Sequence, residues 1–238
     1  MRVFVKAMLA AAMAVSLCSC GGQSAPNSKE ATPDNPYVMT LAHSLSETHT
    51  VHIAIKQFAD EVTERTNGRI QFKIFANGQL GNELEQMEQV MAGVISMTKV
   101  SSPMLATYQD AYHAFGLPYI FNNTEDFYSI MDSDPMYDFF KTSYDKGFVT
   151  LTYYTSGARS FYTVDRAIRT PADLKGLKIR VQDMKSQTEM IDVMGGTPVA
   201  MAYGDVFTSL QTGVIDGTEN NETALTLGKH GEICKVYS

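Results

Sequence analysis

Cysteine is the first thing this sequence lacks: there are three in 238 residues, Cys18, Cys20 and Cys234, and no two are placed to pair inside one domain. A disulfide framework is excluded, so any fold must rest on its apolar core, for which 44% hydrophobic residues suffice. Cys234 stands alone and reads as a buried thiol. Basic residues are also short, 19 Lys and Arg against 26 Asp and Glu, and they form no run. That balance excludes nucleic acid as a partner. An anionic ligand would therefore need a local arginine cluster acting against the net charge of −7.

Long apolar runs are missing too. The stretch Met8 to Leu17 is too short to span a bilayer. There is no Gly-x-Ser-x-Gly elbow, no phosphate loop and no metalloprotease motif. His49-x-x-His52 could set two nitrogens on one helix face, but no third histidine or cysteine follows at a usable spacing. Neither a metal nor a cofactor is expected, and no paired acid and base marks the chain as an enzyme. Methionine faces such as Met87 with Met91 and Met190 with Met194 read as core filler.

What is present begins with a leader. Arg2 and Lys6, the apolar run and the small residues before Cys20 mark residues 1–19 as a secretory signal. Cys20 then resembles a lipobox cysteine, the lipidated new N-terminus that would tie the protein to a membrane. Cleavage there removes two cations and no acid, so the chain becomes more acidic by two charges. Residues 20–36 are rich in glycine, serine, proline and asparagine and read as a flexible tether.

From Tyr37 the pattern is strand, helix, strand, helix, strand. Val38 to Ala42 is a buried strand. Val51, Ile55, Phe58 and Val62 recur at helical spacing up to Gly68, and Ile70, Phe72 and Ile74 alternate. Asn82 with Glu85 caps a further helix, and Ile95 to Val100 returns as a strand. Asp134-Pro135 opens a helix to Gly147, and Phe148 to Tyr154 reads as a strand. A crossing to a second domain is expected after Thr155, giving domains at 37–155 and 156–238. The second domain repeats the alternation. Lys178 to Val181 is a strand, Ser186 with Glu189 reads as a capping box, and Gly195-Gly196 is a stop. Pro198 to Met201 is a strand, Val206, Phe207 and Leu210 mark a helix, and Val214-Ile215 is a third strand. Such alternation implies parallel sheets, which bind ligands beyond the carboxyl ends of their strands. Arg180, Asn220 and Asn221 share that address.

Arg180 on a strand admits two readings, an exposed edge residue or a ligand anchor. The anchor reading has chemistry behind it: a guanidinium offers two parallel N–H donors to a carboxylate, which lysine cannot copy. Arg159 is either a second anchor or one half of an ion pair, and Asn220 either an amide for ligand hydroxyls or a turn cap. His43, Ser44, Ser101 and Tyr203 stand at sheet ends or helix starts, where each could serve as a cap or turn residue instead.

One long ordered pattern joins these residues. Asp173-Leu174-Lys175-Gly176-Leu177-Lys178-Ile179-Arg180-Val181, then Gly195, Pro198 and Met201, then Leu210-Gln211-Thr212-Gly213, Asp216-Gly217 and Glu219-Asn220 resemble the signature of one family. It is that of the DctP-type solute-binding proteins of tripartite ATP-independent periplasmic (TRAP) transporters. Gln79-Leu80-Gly81, Gly93 and Gly116-Leu117-Pro118-Tyr119 extend the likeness across residues 37–238. The resemblance implies a two-domain α/β, periplasmic-binding-protein-like (type II-like) fold, with hinge strands and a central cleft that closes on an organic acid. It implies that Arg180 grips the ligand's carboxylate with Arg159 and Asn220 beside it. Asn221, His43, Ser44 and Ser101 are further contacts, and the Tyr203 ring packs on the ligand. The partners implied are a small organic acid, such as a hexuronate or C4-dicarboxylate, and the transporter's membrane subunits; a monomer is expected. A ligand sensor for a kinase and a secreted organic-acid-modifying enzyme are the alternatives. Relatives in the family continue past the position of Ser238, so the chain is expected to be a fragment of a longer protein.

Overall fold

A computed structural model describes residues 30–155 and 157–238. The signal segment, Cys20 and the tether up to residue 29 lie outside the described residues. Two sheets divide the chain in sequence order, and each forms a lobe with its own helices.

In the first lobe, strand β1 (Tyr37–His43) is central, helix α1 spans Thr50–Arg65, and β2 (Ile70–Phe75) pairs with β1 in parallel from Tyr37 beside Ile70 to Ala42 beside Phe75. Helix α2 (Glu83–Met91) opens on a reciprocal box, in which Asn82 accepts from the Glu85 amide and Glu85 accepts from the Asn82 amide. Strand β3 (Met97–Lys99) then pairs with β1 on its other edge, giving an all-parallel sheet ordered β2-β1-β3. Short helices α3 (Ser102–Ala106), α4 (Thr124–Met131) and α5 (Asp134–Lys141) follow. Ser133, not Asp134, is the cap of α5, because Pro135 sits one residue further into the first turn than the pattern suggested.

Residues 148–154, expected as a strand, carry no regular structure. Phe148 is buried in the lobe's apolar cluster and the Tyr153 hydroxyl bonds Asp132 at 2.7 Å, but no strand among the described residues runs beside this segment. Alternating β-formers need a partner's hydrogen bonds to become a strand.

The second lobe holds β4 (Ser160–Thr163), β5 (Lys178–Val181), α6 (Lys185–Val193), β6 (Thr197–Ala200), α7 (Val206–Gln211), β7 (Gly217–Asn220), α8 (Glu222–Thr226) and β8 (Val236–Tyr237). Its sheet runs β6-β5-β7-β4-β8. The alternation around β5, β6 and β7 is parallel as expected, but β4 lies antiparallel to both β7 and β8, so this sheet is mixed. The third strand begins at Gly217, two residues after Val214-Ile215. Glycine is required there: a Cβ would stand 2.5 Å from the Tyr162 carbonyl oxygen and 2.7 Å from the Thr163 methyl on the neighbouring strand. Two apolar clusters fill this lobe, one around Tyr162, Val206, Leu210 and Ile215, the other around Leu174, Ile179, Val181 and Ile191. Cys234 is buried in the first of these, and burial pushes its thiol up to about 11.

The capping box read at Ser186 and Glu189 does not form. Helix α6 starts at Lys185 with Met184 at its cap position, and Glu189 instead faces Lys185 at 3.6 Å on the surface. Met184 overrides the local signal because its side chain is drawn across into the first lobe's cluster with Met87, Leu105 and Tyr112. That insertion joins the lobes. A second bridge is made by His49, whose Nε2 stands 3.4 Å from the Thr223 hydroxyl.

Candidate functional site

The carboxyl ends of β5 and β7, with the residue preceding β4, bring together Arg180, Glu219 and Arg159. Arg180 lies beside Val199 on one neighbour and Thr218 on the other. It is 3% exposed, while Lys178 two residues earlier is exposed at the strand's amino end. Its Nε and Nη2 donate to the Met201 carbonyl at 3.0 and 2.7 Å. Among the described residues no carboxylate pairs with it and Nη1 has no hydrogen-bond partner. Burial, and next the neighbouring Arg159 cation, push its pKa down. A buried cation without an anion is costly unless something arrives to neutralise it.

Arg159 has the opposite surroundings. The antiparallel register sets Ser160 across from Asn220 and Phe161 across from Glu219. That brings Arg159 onto Glu219 in a two-pronged pair, Nε to Oε2 at 2.5 Å and Nη2 to Oε1 at 2.8 Å. Nη2 also donates to the Glu219 carbonyl at 2.9 Å, and Nη1 to the Asn220 side-chain oxygen at 3.0 Å. Burial opposes the Arg159 charge, but Glu219 outweighs it and the pKa is raised. Of the two readings of Arg159, the structure shows the ion pair. Its partner Glu219, 5% exposed, stood in the signature without a role of its own.

The asparagines separate. Asn220 accepts from Arg159 and from the Asn221 amide through one oxygen, and its NH2 donates to no described residue. Asn221 caps α8, its oxygen taking the Thr223 amide at 2.9 Å and the Thr223 hydroxyl. Tyr203 is half-buried with its ring centroid 5.5 Å from that of His230, close enough to both arginines for their charges to lower its pKa against the rise caused by burial. His230 is buried and accepts or donates with the Tyr162 hydroxyl at 2.7 Å.

Across the seam, the carboxyl ends of β1 and β3 bring together His43, Ser44 and Ser101. His43 is fully buried. Its Nδ1 accepts the Leu45 amide at 3.1 Å, so its proton sits on Nε2 and is donated to His52 Nδ1 at 2.9 Å. His49 caps α1 through Nδ1, so its own proton faces Thr223. The two histidines of His49-x-x-His52 therefore serve different partners. Ser44 receives Gln86 at 3.5 Å. Ser101 gives its amide to Glu83 Oε1 at 3.1 Å and its hydroxyl to Glu83 Oε2, while Lys99 stands 3.5 Å from Oε1. Glu83 escaped the sequence reading, because its partners lie 16 and 18 positions away and no local spacing connects them. Two surface recesses, one lined by Leu80, Glu85 and Val94 and one by Val51, Tyr128 and Tyr154, lie apart from this cluster.

Histidine burial makes stability depend on pH. Burial, then the charge of His52 at His43 and of Arg180 at His230, lowers each of these two histidines from the usual 6.5 to about 4. The unfolded chain takes up these protons near pH 6.5 and the folded chain only near 4. Stability is therefore full above 6.5 and declines as the pH falls towards 4. The thermal midpoint is expected to drop steadily between pH 7 and pH 5, and His43→Gln should flatten that slope. A midpoint that does not change over this interval contradicts the burial described here.

Residues 41–238 match the family described as bacterial extracellular solute-binding protein, family 7. A solute-binding protein of Chromohalobacter salexigens is 38% identical over 185 residues, covering 78% of this chain and 55% of that protein. A TRAP periplasmic solute-binding protein of Anaerococcus prevotii, solved with bound D-glucuronate, superposes with a TM-score of 0.81 at 34% identity, over 84% of this chain and 65% of that one. A similar protein of Sulfitobacter, solved with β-D-galacturonate, gives the same score and identity over 84% of this chain and 67% of its own. The chain thus spans roughly three fifths of the length of the relatives it matches.

Proposed function

The chain belongs to family 7 of the bacterial extracellular solute-binding proteins, and from that premise we propose that it captures an organic acid and hands it to the membrane subunits of a TRAP transporter. The observation that carries this reading is Arg180, a buried guanidinium that has one nitrogen without a hydrogen-bond partner and no paired carboxylate among the described residues. A ligand carboxylate would supply the missing charge and the missing acceptor together. Arg159 and the free NH2 of Asn220 stand beside that position to take further oxygens. A hexuronate is the acid best supported, since the similar proteins of Anaerococcus prevotii and Sulfitobacter hold D-glucuronate and galacturonate.

Capture would work by closure. The lobes 37–155 and 156–238 would turn about residues near 155–159, and a ligand that touches both would favour the closed arrangement, which the membrane subunits would recognise. Cys20 would carry the lipid that keeps the protein at the membrane surface. A thermal-shift panel of D-glucuronate, D-galacturonate, 2-keto acids and C4-dicarboxylates tests the reading, because a ligand specific to the folded state raises the midpoint by mass action. A rise with a hexuronate is expected, and no rise with any carboxylic acid would remove the proposal.

A further inference from the structure

We propose that Met184 is a latch between the lobes, with Gly116 as the floor of its socket and the Ser186 hydroxyl as a counterweight, so that this seam sets how readily the lobes close and how tightly an acid is then held. The inference rests on the reading that an acid is captured by closure, and it adds the contact that sets the strength of that closure.

Met184 belongs to the second lobe, at the cap position of α6 and four residues beyond Arg180. Its side chain is 3% exposed and lies in a cluster with Met87, Leu105, Ala106, Tyr112 and Phe148. Every other member of that cluster comes from the first lobe. An unbranched thioether fills an irregular gap of this kind without a fixed rotamer. Parting the lobes would return it to water, so its burial favours the closed arrangement.

The socket is shaped for it. Gly116 ends the 3-10 turn Asp110–Gly116 in the first lobe. A Cβ there would run into the Met184 sulfur, and would stand 3.0 Å from the Met184 methyl and 3.1 Å from the Ser186 hydroxyl oxygen. Gly116 is not among the glycines with positive φ, so alanine suits its backbone and only the contact stands against one.

Ser186, in the first turn of α6, lies against the same glycine. Its hydroxyl oxygen is buried without a hydrogen-bond partner among the described residues. A hydroxyl in that state has lost its water without replacement, a cost recovered when the lobes part. One seam therefore holds two opposing effects. Methionine burial favours closure and the unpaired hydroxyl resists it, which leaves the arrangement near balance, where a ligand's differential affinity can tip it.

The latch is also joined to the cleft on both sides. Met184 follows the strand that carries Arg180, and Leu105 and Ala106 lie on α3, which begins next to Ser101. Socket and cleft must open together.

Calorimetry with D-galacturonate and D-glucuronate on the full chain, and small-angle scattering of the same samples without ligand, test this. Gly116→Ala should weaken both acids about tenfold and by the same factor, because the latch acts on closure and not on the ligand. Met184→Ala should weaken both by about ten- to a hundredfold, and adding Gly116→Ala to it should cost nothing more, since the new methyl then meets no sulfur. Ser186→Ala should tighten both acids about three- to tenfold. Without ligand, Ser186→Ala should be no larger in radius of gyration than wild type, and Gly116→Ala larger. Gly116→Ala and Ser186→Ala acting in the same direction, or a Gly116→Ala loss that persists undiminished beside Met184→Ala, overturns the latch and leaves acid capture standing. Binding of neither acid by wild type removes the hexuronate reading instead, and the order of the radii then decides the latch by itself.

Discussion

Arg180→Met is expected to abolish binding of a carboxylic acid while leaving the chain folded and about as stable as the wild type. Losing one partner of a buried guanidinium–carboxylate pair costs on the order of 3–5 kcal/mol, which is roughly a hundred- to several-thousandfold in affinity. Arg180→Lys should do nearly as badly, since an ammonium cannot present two parallel donors. The stability half of the prediction is less usual. No carboxylate among the described residues pairs with the buried Arg180, and burial and Arg159 both act against its charge. Methionine would remove that strain at the loss of two hydrogen bonds to the Met201 carbonyl, about 1–3 kcal/mol if that oxygen is left unsatisfied. The two effects nearly offset, so the side chain contributes little to stability on its own. Calorimetry and a urea melt on the same sample check both halves. Near-native affinity in Arg180→Met would end the assignment, and global unfolding would show that Arg180 is structural.

Glu219→Ala should do the reverse, acting first on the fold. It strips Arg159 of both prongs of its pair and leaves a cation held between strands. Breaking a buried pair on one side costs about 3–5 kcal/mol, and the low end applies here because the Arg159 side chain keeps 27% of its exposure. For a chain of this size that corresponds to a fall in the thermal midpoint of the order of 10 °C. Arg159→Met with Glu219→Met should recover most of the loss, since apolar residues of similar volume often replace such pairs without penalty. The coupling read from the double-mutant cycle is therefore the quantity to measure. A value near zero would mean that the pair does not hold β4 against β7. Binding should weaken in Glu219→Ala as well, because a released Arg159 no longer fixes the Asn220 amide.

The sequence showed one end of each of these interactions and hid the other. Strand period, glycine stops and the Asn82–Glu85 box are local signals, and β1, β2, α2, β5 and β6 follow from them. Arg180 was legible because an arginine in the middle of an apolar strand is itself anomalous, and the family resemblance gave it a role. Glu219 and Glu83 were not, because a carboxylate has no periodic signature and becomes informative only once its cation is known. Arg159 reaches Glu219 over 60 positions through an antiparallel register that alternation along the chain did not suggest. The missing cap at Ser186 and the unstructured segment 148–154 have a shared cause. In both, tertiary surroundings overrode a local preference, Met184 by entering the other lobe and residues 148–154 by having no neighbouring strand among the described residues to pair with.

The central claim is that a small acid enters between the lobes with its carboxylate on Arg180. A crystal structure of the chain grown with D-galacturonate measures this directly. The carboxylate is expected within about 3 Å of the Arg180 guanidinium, with Asn220 nearby. Density for the sugar acid elsewhere, with Arg180 bonded only to the Met201 carbonyl, would contradict it.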